Sequence, residues 1–129
     1  FLIIKIVSPG PAIYKARRIG LNGNFFTCYK FRSMRIDAEA NGMQWADKED
    51  ERCTKVGAIL RKYRLDELPQ VFNVLSGKMS IVGTRPEVPK YVDRYTDEMY
   101  ATLLMPAGIT SLASIKFKTQ ILTLISVYK

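Results

Sequence analysis

Histidine is absent from this 129-residue sequence. That one gap excludes Ser-His-Asp and Cys-His nucleophile arrangements and imidazole-ligated zinc together. Cysteine is scarce: Cys28 and Cys53 stand far apart with no CxxC spacing, which argues against a zinc or thiol-redox motif and for two buried thiols in a reducing compartment. No internal repeat and no low-complexity tract is present. The apolar opening run FLIIKIV occupies only residues 1–7, far short of the about 20 residues that span a bilayer. It reads as the tail of a longer hydrophobic segment or as a strand.

Acid is also missing from one region. Residues 1–35 carry seven cations (Lys5, Lys15, Arg17, Arg18, Lys30, Arg32 and Arg35) and no carboxylate, whereas residues 36–51 carry six acids (Asp37, Glu39, Asp47, Glu49, Asp50 and Glu51) against Lys48. The chain as a whole holds 20 basic and 12 acidic residues, a net +8. Its expected partners are therefore anionic: nucleic acid, an acidic membrane surface or a phosphate-bearing substrate. With 47% hydrophobic and 25% charged residues the composition is globular, and the length suits one domain with a real core.

Local patterns give a mixed α/β order. The turn SPGPAIY (8–14) stops any preceding helix, and Asn-Gly within NGN (22–24) predicts a hairpin between strands near 12–19 and 25–31. The acidic stretch 37–51 reads as loop or frayed helix. Over 53–65, Val56, Ile59, Leu60 and Tyr63 fall at helical spacing. Leu68, Val71, Phe72 and Leu75 form the stripe of a second, buried-looking helix over 66–77, with Gly77 as its cap. A short strand and turn are expected in 78–86, and one helix after Pro89 with Tyr91, Tyr95, Met99 and Leu103 four apart. A loop leading into an extended piece follows over 105–118.

The chemistry-bearing residues gather around RLDELPQ (64–70), where Asp66 and Glu67 adjoin and Pro69 follows. Capping explains part of this: Asp66 as N-cap, Glu67 as a first-turn acid, Pro69 where backbone N–H groups lack partners anyway. A cap needs only one acid, however, and leaves the cations Arg61, Lys62 and Arg64 unexplained. The second reading is an anion site, in which a carboxylate at a helix N-terminus acts as nucleophile or metal ligand while nearby arginines bind phosphate. YKFRSMR (29–35) interleaves aromatics and cations, with Lys30 and Arg32 expected on one face of a strand. That suits a solvated basic face, a phosphate contact or single-stranded nucleic acid.

Three segments, SPGPAIYKARRIGLNGNFFTCYKFRSMR, VGAILRKYRLDELPQVFNVLSGKMSIVGTRPE and, more loosely, MPAGITSLAS, together cover about residues 8–117. In this order they resemble the bacterial sugar transferases, the monotopic polyprenyl-phosphate phosphoglycosyl transferases. The resemblance implies transfer of a phosphosugar from a UDP-sugar to polyprenyl phosphate with release of UMP, an early membrane step of glycan assembly. It implies Asp66 as nucleophile and metal ligand, Glu67 as its partner in positioning or deprotonating the lipid phosphate, and Mg2+ as cofactor. Arg61, Arg85, Lys30 and Arg32 match family cations expected to bind phosphate.

The implied fold is a small α+β domain. Its amphipathic helices lie on the cytoplasmic face of the bacterial inner membrane, against anionic lipid, behind a re-entrant N-terminal anchor. On that reading residues 1–7 are a remnant of the anchor, 8–118 the catalytic domain and 119–129 a divergent tail. Two positions depart from the family pattern: Thr84 stands where Pro is common, and Arg64 where Ser or Thr is frequent. The alternatives are a basic nucleic-acid-binding module, which leaves LDELPQ unexplained, and an inactive remnant of the transferase.

Overall fold

A computed structural model describes residues 2–39 and 50–116; the acidic segment 40–49 and the tail from 117 lie outside the described residues. Helix α1 (Leu2–Val7) leads into the Ser8–Pro11 turn and then a hairpin of β1 (Ile13–Ile19) and β2 (Phe25–Phe31). The Asn-Gly pair makes the reversal as expected. Asn22 (φ 54°) and Gly23 (φ 74°) are both left-handed, and Gly20 N–H donates to Asn24 O at 3.0 Å. Two adjacent positive-φ residues match the right-handed twist of the strands they join. A 3-10 turn at Ile36–Glu39, helix α2 (Lys55–Lys62), a 3-10 segment at Leu65–Gln70 and helix α3 (Val71–Leu75) follow. Then come β3 (Ser80–Val82), α4 (Pro89–Val92), α5 (Asp97–Tyr100), a 3-10 turn at Ala101–Leu104, β4 (Gly108–Thr110) and α6 (Leu112–Lys116). The result is a small α+β chain, and no described helix is long and apolar enough to cross a membrane.

The chain divides into two compact units, one drawn from Phe1–Ala16 and Cys28–Val71, the other from Arg17–Thr27 and Phe72–Lys129. In the first, residues 33–35 run beside 52–54: Thr54 N–H donates to Ser33 O at 3.0 Å, Arg35 N–H to Arg52 O at 2.9 Å, and Met34 bridges Cys53. Thr54 caps α2, its Oγ1 accepting from Gly57 N–H at 2.9 Å, so one free helix-end donor is satisfied at the start. Gly57 is the buried residue of α2, packed directly on the Ser33 backbone. Of the four apolar residues at helical spacing, Val56 and Leu60 are half-buried, and Ile59 and Tyr63 are exposed.

In the second unit β3 and β4 pair in parallel, Ser80 opposite Gly108 and Val82 opposite Thr110. Gly83 and Gly108 approach so closely that a side chain on either would strike the other's backbone. That is why the SIVGTRP and MPAGIT segments each carry glycine at the crossing. Ile19, Val92 and Leu103 form a small core with Tyr95 against it, and Tyr95 meets Tyr100 edge-on at 5.8 Å. The single helix expected after Pro89 is instead three short pieces, interrupted where Thr96 turns extended (ψ 164°). The four-apart aromatic spacing mimicked a continuous stripe, but Asp97 and Glu98 open a new helix behind Thr96. Thr84, the departure from the family pattern, ties its hydroxyl to Thr102 O at 3.1 Å; it replaces a ring with a hydrogen bond. The final segment is also shorter and more ordered than an extended piece, a strand followed by helix.

Candidate functional site

Arg64, at φ 59°, ends α2 in the left-handed conformation and starts the segment Leu65–Gln70. It offers that segment no side-chain cap. Asp66 is therefore not an N-cap: it is the second residue of a 3-10 turn, and the expectation of a capping carboxylate is corrected. The stripe is corrected as well. Leu68, Phe72 and Leu75 are 57%, 65% and 78% exposed, whereas Asp66 and Asn73 are 8% and 1% exposed, and Pro69 and Gln70 are buried too. Polar groups face inward and apolar ones outward along the same run. Asn73 supports this inversion within its unit, donating to Thr27 O at 2.7 Å and accepting from Lys78 and Met79 N–H groups at 2.9 and 3.1 Å.

The carboxylate of Asp66 is the conspicuous group. Its Oδ1 is buried with no hydrogen-bond partner. Burial raises its pKa above the ordinary value, and the adjacent Glu67 charge adds to the rise; Lys30, a hydrogen bond from its own backbone N–H and Arg61 act against it. Desolvation disfavours the ionised form, and a like charge does the same. Glu67 is held otherwise. Its Oε1 accepts from Lys30 Nζ at 2.7 Å in a largely covered pair, and Arg64 reaches its second oxygen only at 3.7 Å. The dyad is thus asymmetric: one carboxylate is anchored by Lys30, the other has a buried oxygen, Oδ1, without a partner.

The four cations expected to bind phosphate have different fates. Lys30 is committed to Glu67. Arg32 is buried, and its guanidinium donates to Ser8 O at 2.6 Å and Pro9 O at 2.8 Å. Prolines at 9 and 11 leave that turn rich in carbonyls and poor in N–H groups, and Arg32 fills the deficit, so it lies on no solvated basic face. With both strand cations engaged inside the protein, the YKFRSMR segment is not the free aromatic-basic face a single-stranded nucleic acid needs. Arg61, half-buried at the end of α2, places Nη1 3.0 Å from Cys53 Sγ. Arg85 belongs to the second unit and is exposed on the turn after β3. Both cysteines are free thiols, Cys28 buried and Cys53 partly so.

Sequence reasoning missed Cys53, Thr54 and Gly57 as determinants of this region. Thr54 had a readable signal, a threonine immediately before an apolar periodic run. The Lys30–Glu67 pairing, 37 residues apart, had none. Replacing Lys30 with Met is expected to destabilise the protein by about 1–3 kcal/mol, because Glu67 is left covered without its partner. Adding Glu67→Gln should restore most of that loss in urea unfolding, since the double variant buries no unpaired charge.

The bacterial sugar transferase family model matches residues 1–127. A Bacillus subtilis relative is 50% identical over 98 residues, 76% of this chain and 55% of that protein. A UDP-N-acetylgalactosamine-undecaprenyl-phosphate N-acetylgalactosaminephosphotransferase of Aeromonas hydrophila is 44% identical over 118 residues, 88% of this chain and 28% of the relative. An undecaprenyl-phosphate galactose phosphotransferase of Salmonella typhimurium is 44% identical over 118 residues, 80% and 25% of the two chains. The chain spans 55% of the length of the first relative and 28% and 25% of the other two.

Proposed function

This chain belongs to the bacterial sugar transferase family, and on that premise we propose that Asp66 is the nucleophile of a phosphosugar transfer from a UDP-sugar to polyprenyl phosphate. The observation that carries the reading is the buried, unpartnered Oδ1 beside a neighbour whose carboxylate is already anchored. A folded chain retains such an uncompensated carboxylate at a cost in stability, and perturbed carboxylates of this kind gather at reacting centres.

In the first step an Asp66 oxygen attacks the phosphorus that bears the sugar. The phosphoanhydride bond breaks, UMP leaves with the bonding electron pair, and an acyl phosphate joins the phosphosugar to Asp66. In the second, an oxygen of polyprenyl phosphate attacks the same phosphorus, the new diphosphate forms and the Asp66 carboxylate departs. Glu67, fixed by Lys30, positions the lipid phosphate or accepts its proton. Arg61 and Arg85 supply phosphate-binding guanidinium groups; Arg32, buried against backbone carbonyls, is left out of that set.

The residues present fit a magnesium ion. Asp66 offers a hard oxygen donor with a free Oδ1, and no cluster of three candidate ligands occurs among the described residues. One or two carboxylates completed by substrate phosphates is the usual magnesium arrangement. Held by Asp66, the ion would supply positive charge that offsets the anionic nucleophile and the diphosphate.

The outward stripe of Leu68, Val71, Phe72 and Leu75 suits the surface of the cytoplasmic leaflet, and exposed cations of the N-terminal quarter such as Lys15, Arg17 and Arg35 add about 1 kcal/mol each where they come near anionic headgroups. The reading is tested by magnesium-dependent UMP release from a panel of UDP-sugars with polyprenyl phosphate. The chain is assayed as it stands and with flanking sequence from a full-length relative. Sustained turnover that needs both substrates and the metal is expected, with at most one UMP per protein when polyprenyl phosphate is left out, and it names the sugar. Folded protein silent in both forms beside a working control enzyme would favour the inactive remnant.

A further inference from the structure

We propose that Cys53 is a positioning residue for Arg61, acting on the reaction only through that guanidinium; the inference rests on the transferase reading above. Three observations carry it. The backbone of Cys53 is pinned twice, by its antiparallel bridge to Met34 and by its N–H donation to Asp50 O at 2.9 Å. Its side chain therefore starts from a fixed point. From there Sγ lies 3.0 Å from Arg61 Nη1, at the end of α2 just before the segment that carries Asp66. Asp50, a carboxylate within the field of Arg61, already takes Arg52 through two bonds at 2.6 and 2.8 Å.

The chemistry of the thiol makes this placement useful. An arginine meant for substrate phosphate needs a fixed direction and an unneutralised charge. A carboxylate at position 53 would fix the guanidinium by forming an ion pair and would cancel that charge. A hydrocarbon side chain would leave the charge but not the direction. A thiol is a weak, neutral acceptor, so it engages one of the five guanidinium donors and leaves the charge intact.

The test separates this role from space-filling. In the UMP-release assay, Cys53→Ala is expected to raise KM for the UDP-sugar about 3–10-fold, the size of one lost neutral hydrogen bond, with kcat nearly unchanged. Cys53→Ser, which keeps a neutral acceptor, should restore most of the affinity. In an Arg61→Gln background Cys53→Ala should add nothing, because the two residues act as one unit. An unchanged KM in Cys53→Ala, or an equal penalty with and without Arg61, overturns the proposal.

Should the wild-type chain release no UMP at all, the transferase reading fails on its own account. The positioning claim is then decided by NMR of the Arg61 side chain. Guanidinium rotation slower in wild type than in Cys53→Ala supports it, and equal mobility contradicts it.

Discussion

Asp66→Asn should abolish phosphosugar transfer and make the protein more stable. The activity loss is expected to be about 10³-fold or more, the scale on which removal of a covalent nucleophile is felt. An amide oxygen is a poor nucleophile and forms no acyl phosphate. The stability gain follows from the same burial. Asp66 has a folded-state pKa above its ordinary value of 3.8, chiefly through desolvation and secondly through Glu67. A group with a raised folded pKa stabilises the native state fully below its unfolded pKa, and that contribution disappears as pH rises through the folded one. Above the ordinary carboxylate range the metal-free wild type therefore carries a cost, as a desolvated charge or as the uptake of a proton, that Asn lacks. The variant should be more stable there by an amount of order 1 kcal/mol, measured by thermal unfolding with a chelator present. The difference should shrink as pH falls toward the ordinary carboxylate range, where wild type carries a neutral side chain as well. Greater stability with lost activity is the signature of a group kept for chemistry. A variant that is inactive because it is unfolded would show the lost activity without the gain in stability.

Gly57→Ala should have the largest effect on stability. A Cβ at this position would overlap the carbonyl oxygen, carbonyl carbon and Cα of Ser33, all backbone atoms with no rotamer to yield. Moving α2 away would break the bonds that Ser33 O accepts, from Thr54 N–H at 3.0 Å and from Thr54 Oγ1 at 3.4 Å. It would also disturb the Thr54 cap on Gly57 itself. A loss of about 3 kcal/mol or more is expected, a large fraction of the total stability of a small domain. Gly77→Ala is the control. Gly77 has φ 70° with open space around its absent side chain, so that change should cost only the left-handed strain, about 1 kcal/mol. Urea unfolding of the two variants checks the contrast. Similar losses in both would mean that the close approach of α2 to Ser33 is not what holds this unit.

The parts of the fold legible in the sequence are those whose cause is local. The hairpin is fixed by two residues at its own tip, Asn22 and Gly23, and its strands fall within a residue of where they were expected. The short strand at 80–82 and the helix at 55–62 were equally visible. What failed were the inferences about what the apolar stripe and Arg32 would face, whereas the burial of Cys28 was read correctly. The run Leu68, Val71, Phe72 and Leu75 announces an apolar stripe, but periodicity alone does not say whether protein or lipid covers it; here Pro69, Gln70 and Asn73 occupy the interior instead. Arg32 was placed on a solvated strand face because charges are seldom buried. It is buried because the proline-bearing turn at Ser8 and Pro9 presents carbonyls that only a distant donor can satisfy.

The candidate site was legible in its residues and not in its arrangement. Asp66 and Glu67 adjoin in sequence and carry the reading, but nothing in their spacing showed that Glu67 would be clamped by Lys30 while Asp66 kept a buried oxygen without a partner. The segment that holds them is a 3-10 helix that follows a left-handed Arg64 and carries both acids in its first turn, so the helix start was legible and the capping residue was not. Long-range pairings of this kind, like that of Arg61 with Cys53, depend on which elements pack together, and that is settled by tertiary structure.

The most direct test of Asp66 as nucleophile is intact-protein and peptide mass spectrometry after rapid acid quench, with UDP-sugar and magnesium but no polyprenyl phosphate. The account predicts a covalent phosphosugar adduct on the peptide containing Asp66, formed together with UMP, absent from Asp66→Asn and discharged by added polyprenyl phosphate. An adduct on a different residue, or UMP released only when both substrates are present and with no adduct at any time, would contradict it.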